Sequence, residues 1–257
     1  MAGTHLVSIV GLSSLLGTAV ADALLAEPSV RVLGTCRTGA GRVEDLRARH
    51  GGRLDLRTVD VLEAGERDRL LDEIAAAAPE GDLTLLYCCG KWVCGPIADL
   101  DPATMREALE IGLAAPMALV SGLVRRRRAA LPGLRIVIVT GLGGEKAGVA
   151  YNAVFGAVTG AVYNFVRGVA MELAGTGAVC MAVAPGLFDK GQPYIHELCA
   201  GLVTGRPTPV GEVAGWVADQ ILRGPPALNG AVVEIGGGLF NYQDAARILA
   251  GGRGGGP

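Results

Sequence analysis

Apolar residues along this chain fall into short unbroken runs, and between the runs they recur every three or four positions. The runs "HLVSIVG" (5–11), "VRVLGTC" (30–36), "LDLRTVDV" (54–61), "DLTLLYCCG" (82–90), "LRIVIVTG" (134–141), "GAVCMAVAP" (177–185) and "GAVVEIGGG" (230–238) predict buried strands. Residues 17–27, 41–50, 66–78, 102–128, 151–174 and 209–222 predict helices, the fourth and fifth of them long. Apolar strands alternating with helices call for a parallel sheet covered on both faces. No composition break marks a second domain. Residues 1–250 therefore predict one doubly wound, Rossmann-like α/β domain with a nucleotide crevice at the carboxyl ends of its strands, and the glycine-rich 251–257 predict a disordered tail.

With 257 residues, half of them apolar, the chain is long enough for one large core, and its net charge of -2 gives no electrostatic reason to expect nucleic acid or an anionic membrane as partner. The basic cluster Arg125 to Arg128 reads as a solvated helix end, where cations suit the helix dipole. Cys36, Cys88, Cys89, Cys94, Cys180 and Cys199 form no regular framework, which fits reduced thiols in a cytoplasmic protein; Cys89 and Cys94 with a histidine are a weak metal set, and no metal is expected. The first residues lack the charged region of a signal peptide, and no apolar run reads as a membrane span.

Chemistry enters at the strand ends. "IVGLSSLLG" (9–17) joins the first strand to the first helix, where glycines permit a tight bend and a helix N-terminus attracts phosphate. With "VDV", "YCCG", "YNAVF" and "VAPGLFD" in the expected order, the chain resembles the short-chain dehydrogenase/reductase family over nearly its whole length. The resemblance implies NADP(H) or no dinucleotide. It assigns Gly11, Ser13, Ser14, Gly17, Asp60, Gly90, Pro185 and Gly186 to cofactor binding, with Arg37 placed for a 2'-phosphate. Leu15 replaces the middle glycine of the family's first turn.

The family's catalytic set is broken. Tyr151 stands where the proton-donating tyrosine belongs, but the lysine four residues on is Phe155, the serine is Gly141 and the helix asparagine is Gly112. Replacing polar groups by Phe155, Gly141 and Gly112 predicts an apolar, roomier pocket that suits an aromatic or polyketide-like ligand. Substitute groups would come from Thr140, from Lys91 at the crevice mouth, from Glu145 and Lys146 in the preceding loop, or from Asp189, Tyr194 and His196 in the region of the family's substrate lid. Each has a plainer reading as a packing or surface group.

Three functions follow. The first is an atypical enzyme of this fold acting on a small carbonyl metabolite, by cyclisation or isomerisation or by NADPH-dependent reduction with a substitute proton donor. The second is a silent subunit assembled with an intact paralogue, in a family that forms dimers and tetramers through its long helices. The third is a dinucleotide-sensing module.

Overall fold

The run 5–10 is buried from Leu6 to Val10 because it becomes the interior strand β1 (His5–Val10), paired in parallel with β2 (Val30–Cys36) on one side and β4 (Leu83–Tyr87) on the other. The computed structural model describes residues 4–38, 41–142, 151–189, 191, 193–200 and 202–237. With β3 (Leu54–Thr58), β5 (Leu134–Val139), β6 (Val179–Pro185) and β7 (Val232–Ile235), the strands form a seven-stranded sheet in the order β3-β2-β1-β4-β5-β6-β7. All neighbours run parallel. The order reverses between β1 and β4, which opens a crevice above their carboxyl ends.

The period of two along each strand divides the core. Leu6 and Val10 of β1, Leu85 and Tyr87 of β4 and Ile136 and Ile138 of β5 face α3 (Ala64–Ala77), α5 (Ala115–Arg126) and α6 (Ala153–Glu172). Val7, Ile9, Leu86 and Val137 face the opposite layer, built from α1 (Leu15–Leu25), α2 (Gly41–His50) and α8 (Val210–Arg223). Each fully buried Leu, Ile or Val contributes roughly 1.5–3 kcal/mol through the water it sheds. Two-sided burial is therefore why these strands carry no polar alternation.

The predicted helix 102–128 is interrupted. It consists of α4 (Pro102–Leu109), a π-helical turn (Glu110–Ala114) and α5. Pro116 explains the break. It has no N–H for the wider i→i+5 pattern, in which Ala115 N–H already donates to the Glu110 carbonyl. The carbonyl of Ile111 would thus be stranded, and the hydroxyl of Tyr87, rising from the end of β4, donates to it instead.

Two sequence expectations need correction. The arginine run is not a solvated end: Arg127 is 2% exposed, and its guanidinium donates to the carbonyls of Ala78 and Gly81, while Arg126 pairs with Asp68 and Asp72. Burial lowers the Arg127 pKa from its ordinary value. Segments Pro102–Arg126 and Ala153–Glu172 are also long and apolar enough by length and composition to cross a membrane, contrary to the sequence reading. In the fold each lays one face on the sheet, through Leu119 and Leu123 and through Val162 and Val166. A short helix in the lid region, α7 (Pro193–Cys199), was not predicted. The tail 251–257 and the loop carrying Glu145 and Lys146 lie outside the described residues.

Candidate active site

The crevice begins at the first strand-helix turn. Gly11 has φ of 86°, a left-handed conformation natural to glycine, and a Cβ there would stand 2.6 Å from Cys89 Sγ and 3.1 Å from the backbone of Cys88. The turn is thus pressed against the end of β4. Ser14 caps α1, its Oγ accepting from Gly17 N–H at 3.0 Å, and a Cβ on Gly17 would lie 2.5 Å from the Gly11 carbonyl oxygen. The helix N-terminus is held at the crevice, with Leu15 and Leu16 in its wall. Ser13 lies in the turn between these groups.

Arg37 follows β2 at an exposed position, and its guanidinium acts on the Cys89 thiol together with the carboxylate of Asp60. Burial is the largest influence on Cys89 and pushes its pKa up to about 11; Arg37 opposes the rise and Asp60 adds to it. Burial likewise raises Cys88 and Tyr87. These thiols are therefore protonated, not nucleophilic thiolates, at neutral pH. Asp60 holds its own turn, Oδ1 accepting from Leu62 N–H at 3.0 Å.

At the other end the positions that the resemblance assigns to catalysis are occupied by packing. A Cβ on Gly141 would stand 2.3 Å from Cζ of Phe155, so the ring covers the place where a serine side chain would start. A Cβ on Gly112 would stand 2.6 Å from Cγ1 of Val158. Both intruding side chains come from α6. The expectation of a roomier pocket at these two positions is corrected: the space given up by two side chains is taken by two others. Tyr163, fully buried on the same helix, donates its hydroxyl to the Gly141 carbonyl at 2.8 Å and fixes the end of β5 from behind.

Between the two ends lies a cavity of about 410 Å³. Ser14, Gly90, Lys91, Thr140, Pro185 and Gly186, all expected from the sequence, line it. Gly11 and Gly17 form the scaffold behind it. Tyr151 and His196 are not among the described residues that line it. Tyr151 has a left-handed φ of 65°, and its carbonyl accepts from Gly95 N–H at 2.6 Å. His196 sits on the outer side of α7, paired with Asp189 at 3.0 Å, the two side chains 59% and 52% exposed. The Gly191 N–H, and after it His196, holds the Asp189 carboxyl below its usual range. Lys91 is paired with Glu107 of α4.

Among the described residues the tyrosine lining the cavity is Tyr194 of α7, beside Ile195 and Leu198. Trp92, Asn152 and Thr159 also line the cavity, and sequence reasoning did not single them out. Trp92 directly after Lys91, in a chain with two tryptophans, was the available signal. Among the described residues no cluster of three His, Cys, Asp or Glu could hold a metal ion.

The family model described as enoyl-(acyl carrier protein) reductase matches residues 11–218. The uncharacterized oxidoreductase YmfI of Bacillus subtilis (strain 168) is 29% identical over an alignment of 154 residues, covering 56% of this chain and only 61% of that protein's length. Among solved structures, a single-substitution variant of the actinorhodin polyketide ketoreductase with NADPH superposes with a TM-score of 0.83 at 24% identity, covering 93% of this chain and 98% of that one. A short-chain dehydrogenase from Burkholderia cenocepacia J2315 in complex with NADP gives a TM-score of 0.82 at 21% identity, covering 92% and 97%. The short-chain dehydrogenase/reductase from Serratia marcescens BCRC 10948 gives 0.82 at 20%, covering 92% and 98%. At these identities the likeness to solved structures is one of fold.

Proposed function

The chain belongs to the short-chain dehydrogenase/reductase family, and from that premise we propose that it is an enzyme acting on a small, apolar carbonyl compound in this crevice without the family's tyrosine–lysine proton relay. The observation that carries the reading is the interlock of Gly141 with Phe155. A serine at 141 and a lysine at 155 would form one machine; here the two positions form one packing unit, so the relay has neither its groups nor the room for them.

Protonation of a carbonyl oxygen then needs another donor in the wall. Tyr194 supplies a phenol hydroxyl there and Lys91 an ammonium. Lys91 is already engaged by Glu107, so Tyr194 is the preferred donor. Its place on α7, among lid residues Ile195 and Leu198, suits a group brought to the ligand as the lid packs down.

NADP(H) suits one end of the crevice better than the other. The Gly11 bend, the capped N-terminus of α1 with Ser13, Ser14 and Gly17, and the open approach at Gly90 would hold a pyrophosphate, with Arg37 and Asp60 toward the adenosine and Pro185 and Gly186 toward the nicotinamide. Leu15 narrows the phosphate approach, and Phe155 makes the ribose end apolar. Bound there, NADPH would supply a hydride to a carbonyl carbon. Without it, the same wall serves cyclisation or isomerisation of an enolisable ketone.

Calorimetric titration with NADPH and NADH, followed by turnover of an aromatic ketone with wild type, Tyr194→Phe and Tyr151→Phe, tests the reading. We expect NADPH to be preferred, and turnover to fall about a hundredfold in Tyr194→Phe, the size of a lost general acid, but little in Tyr151→Phe. Loss of turnover in Tyr151→Phe alone, at an unchanged melting temperature, would return the chemistry to the family's tyrosine.

A second reading, a silent subunit, is favoured by the apolar side chains left on α4, α5 and α6: Leu109, Met117 and Met171 are 44%, 40% and 81% exposed. That reading requires a chain whose purified form neither turns over ketones nor is complete without an intact paralogue.

A further inference from the structure

Among the polar residues that line the cavity, Asn152 makes an uncommon contact. This residue stands at the N-cap of α6, yet its side chain makes no capping hydrogen bond. Its Oδ1 instead accepts from Nε1 of Trp92 at 2.9 Å, across 60 positions of sequence. An indole N–H can only donate, so the bond fixes the oxygen of the amide toward Trp92 and its nitrogen away from it. Trp92 is itself held in place. Lys91 before it pairs with Glu107 of α4, and Gly95 after it donates to the Tyr151 carbonyl at 2.6 Å, which ties the loop to α4 on one side and to the start of α6 on the other. Trp92 and Asn152 both line the cavity, alongside Phe155 and Gly141.

We infer that the Asn152 amide, oriented by Trp92, donates its Nδ2 hydrogens to the carbonyl oxygen of the bound compound and is a specificity-determining residue of this site. The inference rests on the reading of the cavity as a site for an apolar carbonyl compound. An amide is uncharged, so it favours a neutral ketone over a carboxylate, whose matching cation, Lys91, is already taken by Glu107. In a wall formed largely by apolar side chains the amide also works against the wrong ligand. A hydrocarbon of the same shape leaves the Nδ2 donors desolvated and unpaired, and a site built to donate to an oxygen rejects the analogue that lacks it.

Calorimetric titration of the full chain with 1-tetralone and with tetralin, its hydrocarbon counterpart, tests both levels. The wild type is expected to bind the ketone about tenfold more tightly. Asn152→Asp keeps an acceptor for Trp92 and loses the donor, so the preference should vanish while the melting temperature holds. Trp92→Phe frees the amide to turn, so the preference should shrink part of the way. Equal affinity of the wild type for the two probes overturns the inference and leaves the apolar cavity standing. Binding of neither overturns the cavity reading and the inference with it. A preference that survives Asn152→Asp makes the residue a clasp for the loop only. Should that variant not fold, Trp92→Phe decides, and an unaltered preference there overturns the inference.

Discussion

The two ends of the crevice both depend on glycine, and they use it in opposite ways. At the phosphate end Gly11 is needed for the backbone itself: its φ of 86° and the 2.6 Å approach of Cys89 Sγ to the position of a Cβ leave no room for another residue. At the other end the space beside Gly112 and Gly141 is occupied by Val158 and Phe155, side chains of α6. The first kind of glycine lets the turn lie against the end of β4. The second kind makes room for the side chains of a neighbouring helix. Counting retained and lost motif residues misses this, because the losses at the second end are coupled to one another through α6.

The contrast can be broken most forcefully at Gly11. Gly11→Val imposes a left-handed β-branched residue and a backbone clash together, and should destabilise the fold by about 3 kcal/mol or more, read as a lower urea midpoint at constant slope. A neutral result would mean the turn is not pressed against β4. Gly141→Ser should cost about 1 kcal/mol, since the new Cβ meets the Phe155 ring, which must shift toward the cavity to admit it. Combined with Phe155→Lys the penalty should shrink, giving a coupling of about 1 kcal/mol in a double-mutant cycle. Strict additivity would show two independent substitutions in place of one exchange. Phe155→Lys alone should not establish NADPH-dependent ketone reduction, because Gly112, Gly141 and Leu15 remain. The mildest change is Tyr87→Phe. It leaves the Ile111 carbonyl without a donor inside the π turn, at about 1 kcal/mol, with faster amide exchange confined to residues near 110–114.

Much of the fold was legible because its strands are buried on both faces and its helices on one. The predicted bounds 30–36 and 41–50 coincide with β2 and α2. What escaped depends on contacts between distant positions. The break between α4 and α5 follows from Pro116, but its repair needs Tyr87, which lies on another element. The arginine run reads as surface until the carbonyls of Ala78 and Gly81 are seen beneath Arg127. At the site, Gly141, Phe155 and Gly112 could be read as departures from the serine, lysine and asparagine that the resemblance leads one to expect. That Phe155 and Val158 fill the vacancies could not, nor could the pairing of Trp92 with Asn152. Tyr194 was noticed as a lid residue, but only the packing of α7 distinguishes it from its neighbour His196, which points to solvent.

The π turn has a mechanical consequence. Beyond it, α5 is fastened at its far end, where Arg127 grips the connection into β4. At the turn itself, Tyr87 pins the Ile111 carbonyl to the sheet. Any tilt of α4 must therefore be absorbed within the five residues from Glu110 to Ala114. Because Glu107 of α4 holds Lys91, that tilt is transmitted to the crevice mouth. A tilt of α4, were one to occur, would thus reach the entrance of the cavity through Lys91 and leave α5 in place.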